Sequence, residues 1–142
     1  MTMKIRTEDG TISFASGTIT PRLGRKDFLH SPVASGAKEF LINEPFASYL
    51  IAPEMNIATT VQFAGDVLET VSILFEIPGE STDNWSEALE LERKRIHDAW
   101  LRNELGPPPY TFGWGKITSD YDPRACESDI LLAYGERRRS KS

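Results

Sequence analysis

Short segments in which polar and apolar positions alternate with a period of two lie on either side of one stretch with a helical period, residues 84–105. At the N-terminus Met3–Thr7 and Thr11–Phe14 alternate on either side of Asp9-Gly10. That dipeptide suits the positive φ values of a two-residue type I′ turn, so a hairpin is expected there. Thr18-Ile19-Thr20 is expected to carry its second strand onward past a bulge at Gly17. From Pro21 to Ala37 the alternation breaks, because Pro21, Gly24, Pro32 and Gly36 interrupt every period. This stretch reads as a long loop that only Phe28-Leu29 can anchor, and a structureless loop of that length is uncommon unless it is mobile or functional.

Two short strands are expected at the apolar runs Phe40–Ile42 and Tyr49–Ile51, separated by Asn43-Glu44-Pro45. Asn56–Ala64 and Val67–Ile77, joined at Gly65-Asp66, make the clearest hairpin. Its second strand is apolar on both faces, with Val71, Ile73, Phe75 and Ile77 on one and Leu68 and Leu74 on the other. That is the pattern of a central strand.

The helical period follows Pro78-Gly79. Asn84 with Glu87 three positions later forms a capping-box start, and Asp83 adds negative charge at the positive end of the helix dipole. A helix over Asn84–Leu105 is expected, stopped by Gly106-Pro107-Pro108-Pro109. At about 100° per residue, Trp85, Leu89, Ile96 and Trp100 share one stripe with Ala88 and Ala99 along its edge, whereas Arg93, Lys94, His97, Asp98 and Arg102 lie mainly outside it. After the aromatic-glycine run Tyr110–Gly115, the sets Ile117, Ser119, Tyr121 and Ile130, Leu132, Tyr134 predict a last hairpin. Asp122–Asp129 forms its long connection, and Pro123 forces the exit from the first strand. The fold class is α+β: a mostly antiparallel, twisted sheet of five to seven strands with one long helix packed on one face.

Size and charge narrow the function. A chain of 142 residues with 3 Trp, 4 Tyr and 7 Phe can bury one core unaided, so residues 1–142 are expected to form a single domain with 136–142 as a frayed tail. Net charge is −5. The basic cluster Arg137-Arg138-Arg139 with Lys141 belongs to the tail, which argues against a nucleic-acid partner. Cys126 is the single cysteine. With no apolar leader and no run near ~18 apolar residues, the expected setting is the cytoplasm, with no membrane partner. Self-association through a free strand edge is compatible with this reading.

Candidate chemistry is sparse. Glu92 sits between Leu89 and Ile96 on the helix stripe, where a carboxylate facing the core would have a raised pKa and could act as an acid or base, or simply reach solvent or an arginine. Asp120, Asp122, Glu127 and Asp129, with Arg124 among them, form an acidic connection that lacks the spacing of a calcium loop. They are candidate contacts for a basic protein, as is the 21–37 loop. His30, His97 and Cys126 are not at metal-ligand spacing, so no metal and no cofactor is expected. Gly113-Trp114-Gly115 enters a strand, the wrong context for a phosphate loop, and reads as close packing of Trp114 against the helix end near Trp100. An aromatic-lined ligand pocket between helix and sheet, using Trp85, Glu92, Trp100, Tyr110, Phe112 and Trp114, is the alternative.

The tracts Leu105-Gly-Pro-Pro-Pro109, Trp114-Gly-Lys-Ile-Thr-Ser-Asp-Tyr-Asp-Pro-Arg124 and Ser128-Asp-Ile-Leu-Leu-Ala-Tyr134 resemble the C-terminal part of small, uncharacterised bacterial proteins. Some proteins of this size and acidity are similar to immunity proteins, which neutralise a toxin by binding it. The resemblance covers the last third of the chain and its motifs are structural, so it implies a non-enzymatic protein-binding domain and transfers no active-site residue.

Overall fold

The computed structural model describes residues 3–135. Three short strands, β1 (Lys4–Ile5), β2 (Ile12–Phe14) and β3 (Gly17–Ile19), pair antiparallel in a small N-terminal sheet. A short helix α1 (Arg25–Leu29) and a 3₁₀ turn (Pro32–Ala34) lead into the main sheet. Its strands are β4 (Lys38–Asn43), β5 (Phe46–Leu50), β6 (Ile57–Ala64), β7 (Val67–Phe75), β8 (Tyr110–Phe112), β9 (Gly115–Asp122) and β10 (Glu127–Ala133). They lie in the order β4-β5-β6-β7-β10-β9-β8, every pair antiparallel. The helix α2 (Glu87–Leu105) connects β7 to β8 and packs on β7, β9 and β10. This is the expected α+β architecture, with a seven-stranded main sheet and one long helix laid on it.

The β6–β7 hairpin forms where the sequence places it, and β7 is the middle strand of the seven. Leu68 lies on the same face as Val71, however, not on the opposite one. The register shifts between Gln62 and Phe63, so that Gln62 faces Thr70 while Phe63 faces Leu68. The extra residue, Glu69, forms a bulge that resets the alternation. Its carbonyl is used, accepting the amide of Tyr134 at 3.0 Å.

Other expectations need correction. The first turn is a four-residue loop, because Arg6 N–H donates to Thr11 O at 2.8 Å and Gly10 N–H to Arg6 O at 2.8 Å. Gly10 takes φ 82° while Asp9 is not in the left-handed region, so this is no type I′ turn. Gly17 opens a third strand paired with β2 instead of bulging the second. Residues 21–37 are not structureless: Phe28, fully buried on α1, sits with ring centroids 5.5 Å from Tyr49 and 5.4 Å from Phe63. Val33 is buried on the 3₁₀ turn, and Leu29 is exposed. The last connection is short, since Glu127 and Asp129 already belong to β10. Helix α2 starts later than expected: Ser86 is its N-cap, accepting from Leu89 N–H at 3.1 Å. Asn84 instead closes a capping box with Ser81 around the preceding 3₁₀ turn. The tail expected at 136–142 lies outside the described residues.

Cross-strand register defines the two faces of the main sheet. The row Tyr49–Val61–Val71–Leu132–Ile117 is buried. Helix α2 covers this face at one end and α1 covers it at the other. The N-terminal sheet is tied to the same side, since Trp114 Nε1–H donates to Thr7 O and Tyr134 OH to Gly10 O, both at 2.8 Å. A Cβ on Gly10 would stand 2.7 Å from the Trp114 ring, and one on Gly115 would stand 1.9 Å from Ala133 O, so both close approaches require glycine. Trp114 therefore packs against the N-terminal loop and Tyr134; Trp100 packs edge-on against Phe75. The opposite face, through Thr60, Ser72, Leu131 and Thr118, is half-exposed.

Candidate partner-binding surface

The acidic residues of the last hairpin come together as a strand-borne cluster. Asp129 is opposite Asp120 and Glu127 opposite Asp122 across the β9–β10 ladder. Strand alternation puts all four on the face turned away from α2, because Ser128, Ile130 and Leu132 between them point into the core. Asp122 accepts from Arg124 N–H at 2.9 Å, and the exposed Arg124 guanidinium stands 3.8 Å from it. Asp129 accepts from the Ser72 hydroxyl at 2.8 Å. Burial raises the pKa of Asp129; Ser72 opposes that shift, and Asp120 and Asp122 add to it. Desolvation, then Asp129 and Glu90, raise that of Glu127. Like charges placed directly opposite one another cost stability, so this arrangement is not one that packing favours.

Sequence periodicity found one flank of the buried face of α2, where Ile96 and Trp100 pack half-buried against the core, but missed its centre, and Trp85, Ala88 and Ala99 are exposed. The residues turned inward are Glu90, Arg93, His97 and Leu101, three or four positions apart. Glu90 Oε1 accepts from Ser128 N–H at 2.9 Å and Arg93 Nε–H at 3.0 Å, and the Ser128 hydroxyl donates to Glu90 O at 2.7 Å. Arg93 donates to Phe75 O at 2.6 Å and bridges to both carboxylate oxygens of Glu80. Hydrogen bonding to Arg93 holds the Glu80 carboxyl below its ordinary range. Burial opposes the same trend at Glu90, where Arg93 and the Ser128 amide prevail. The cluster locks α2 to the ends of β7 and β10, and its acceptors are occupied in doing so. No sequence window contains it, because the partners at Phe75, Glu80 and Ser128 come from outside the helix.

Glu92, by contrast, faces solvent and pairs with Arg95, which lowers its pKa; the core-facing acid or base reading is overturned. Of the six residues of the alternative aromatic pocket, Phe112 and Trp114 lie together and the others have separate partners. Trp85 is 43% exposed, with its indole N–H shared between Glu90 and Cys126 O at 3.2 Å each. Trp100 lies on Phe75, and Phe112 stacks on Trp114 at 5.1 Å. The Tyr110 hydroxyl donates to Gly106 O at 2.8 Å. Tyr110 also lines a groove of about 380 Å³ between α2 and β9 with Lys94, Asp98, Leu101, Arg102 and Ser119. His30 is exposed beside Lys26 O at 2.8 Å, and Cys126 is exposed in the 123–126 turn. Among the described residues no three His, Cys, Asp or Glu side chains are placed to hold a metal ion, and no helix is long and apolar enough to cross a membrane.

Sequence reasoning also missed an apolar margin. Phe40 (67% exposed), Leu41 (62%) and Phe46 (45%) project from the β4–β5 edge of the sheet. The run Phe40–Ile42 was readable as a strand; that it would be an edge depended on strand order.

No protein-family model matches the chain, and no curated protein is significantly similar to it in sequence. Among solved structures, a chain of the complex described as "Rhs1-CT in complex with cognate immunity protein RhsI1" has the same fold, with TM-score 0.64 over 98% of this chain and 94% of that chain. Sequence identity between the two is 17%, so the likeness is one of fold.

Proposed function

We propose that this chain is an immunity-type protein that neutralises a cognate toxin by binding it, with no catalysis of its own. The observation that carries this reading is the end-to-end match in fold to a chain of a complex between Rhs1-CT and its cognate immunity protein. The carboxylates of β9 and β10 supply a contact surface suited to a basic partner. Complementary charge speeds encounter and rejects wrong partners, which explains why a chain would keep a cluster that costs it stability.

The test is affinity co-purification of the tagged protein from its native host at low and moderate salt, with mass spectrometry of what is retained. A stoichiometric protein partner that dissociates as salt rises is expected. The triple variant Asp122→Asn, Glu127→Gln, Asp129→Asn should bind it at least tenfold more weakly and with a flatter salt dependence. If the triple variant binds unchanged, the acidic surface is not the contact. If no partner is retained at either salt, the immunity reading fails.

A further inference from the structure

We infer that the outer edge of β9, residues Thr118–Asp122, receives an extended segment of the protein partner as an additional strand of the main sheet; this deepens the binding reading above by naming where and in what conformation the partner docks. Strand β8 pairs only with the first part of β9, Tyr110 to Phe112 facing Ile117 to Gly115, whereas β10 pairs along β9 as far as Asp122. Beyond Ile117, β9 therefore has a ladder on its β10 side and, among the described residues, none on the other. Five residues of strand span about 17 Å, the length of an ordinary strand, and present alternate backbone N–H and C=O groups outward. Such an edge is a template for main-chain pairing.

Three further features fit an extended polypeptide. The groove of about 380 Å³ runs along this edge between β9 and α2, with Thr118, Ser119 and Asp120 on one wall and Lys94, Asp98 and Leu101 on the other. Side chains of an added strand would alternate between this groove and the open sheet face. Ser119 Oγ is buried within the groove's lining and has no hydrogen-bond partner among the described residues. That hydroxyl is closed to solvent, so an incoming strand would reach it only as the groove opens.

Charge gives the segment a polarity. Lys94 is neutralised by Asp98 at 2.7 Å, but Arg102 and Lys116, at the Tyr110 end, have no ion-pair partner among the described residues. Asp120 and Asp122 stand at the far end. The fitting segment carries an acidic side chain toward Arg102 and Lys116 and a basic one toward Asp120 and Asp122, roughly four residues apart at ~3.3 Å per residue. The opposite margin of the sheet, β4, is a poorer template. Its pairing with β5 shifts register between Glu39 and Leu41, leaving Phe40 as a bulge, a device that protects sheet edges from pairing.

A phage-displayed library of random 12-residue peptides, panned on the immobilised full-length protein, tests this directly. Enriched peptides should carry the acidic-to-basic spacing. A synthetic peptide of that kind should slow amide exchange of Ser119 and Tyr121, whose N–H groups face the open edge, at least tenfold. Ser119→Pro, which removes an N–H that faces outward and not toward β10, should weaken the peptide's binding at least tenfold. The double charge reversal Arg102→Glu, Lys116→Glu, both on the surface, should do the same with an unchanged circular-dichroism spectrum, and it keeps the test sound if the proline variant misfolds. Failure to enrich peptides, or protection confined to other amides, overturns the inference. So does an edge already protected in the free protein with a dimer in sedimentation, which would mean a second copy occupies it. Peptide binding in a chain that captures no cellular protein would preserve the edge site and remove the immunity reading. A captured partner that leaves the Ser119 and Tyr121 amides unprotected would do the reverse.

Discussion

His97 is buried without a charge to balance it. Its Nε2 accepts the Phe75 amide at 3.0 Å, which requires a neutral ring with the proton on Nδ1, and Nδ1 is buried with no partner. Burial and the neighbouring Arg93 charge push its pKa down to about 4, against the opposing pull of Asp98 and Glu90. An unfolded chain takes up that proton near pH 6.5 and the folded one does not, so stability is full above about 6.5 and falls as pH drops toward 4. The loss is on the order of 3 kcal/mol at most. Glu80 and Glu90, whose folded pKa values are lowered, add a second loss at still lower pH. Urea unfolding followed by tryptophan fluorescence from pH 4 to 7 should show the first slope. His97→Gln, which retains an acceptor for Phe75 N–H, should flatten it; an unchanged slope would assign it elsewhere.

Arg93 is the other residue whose role can be measured. Its side chain is 3% exposed and joins Glu80 to Glu90. Arg93→Met would leave the buried Glu90 without its counter-charge, at a cost of about 3–5 kcal/mol in thermal or urea unfolding. Arg93→Lys should recover only part of that, because an ammonium cannot reproduce the fork to two carboxylates and a carbonyl.

At the scale of elements, the β9–β10 ladder sets stability against charge. Because the folded pKa values of Glu127 and Asp129 are raised, their destabilising effect is full above those values and is relieved as pH falls, the opposite sign to His97. Replacing Asp120 and Asp129 by Asn should raise stability by about 0.2–1 kcal/mol, read as a higher urea midpoint. A drop instead would show that the Ser72–Asp129 hydrogen bond outweighs the repulsion. Elements of this kind were legible where the information is local. Gly65-Asp66 between two alternating runs gave β6 and β7, and the proline run gave the end of α2. The polar centre of the buried face of α2 was not legible, because an apolar stripe, which did find Ile96 and Trp100, is a poor guide when the neighbours awaiting the helix are a backbone carbonyl, a backbone amide and a glutamate from β7 and the segment after it. Helix α1 is too short to show a period, and the bulge at Glu69 becomes visible only once β6 supplies the register. The acidic cluster was readable as composition, but its pairing across two strands was not.

At the scale of the whole molecule, one face of the main sheet is spent on the core and the other is left half-open between an acidic end at β9–β10 and an apolar margin at β4–β5. Phe40→Ser with Leu41→Ser should change the free energy of unfolding by less than about 1 kcal/mol, since both are exposed, and should reduce aggregation measured by light scattering. A large fall in melting temperature would mean that the margin supports the fold.

Two of the bonds that hold the N-terminal sheet in place join residues at a great distance in sequence, with Tyr134 reaching Gly10 across 124 positions and Trp114 reaching Thr7 across 107. During translation at roughly 5–20 residues per second, the first three strands are synthesised about 6–23 s before Tyr134 exists to receive them. Through that interval Ile12 and Ile19, which become fully buried, have only partners made earlier than β8, such as the Pro32–Ala34 turn against β3 and the Glu54 carboxylate on Ala15 and Ser16 N–H. A ribosome that stalls before β10 therefore leaves the opening segment without its Tyr134 anchor.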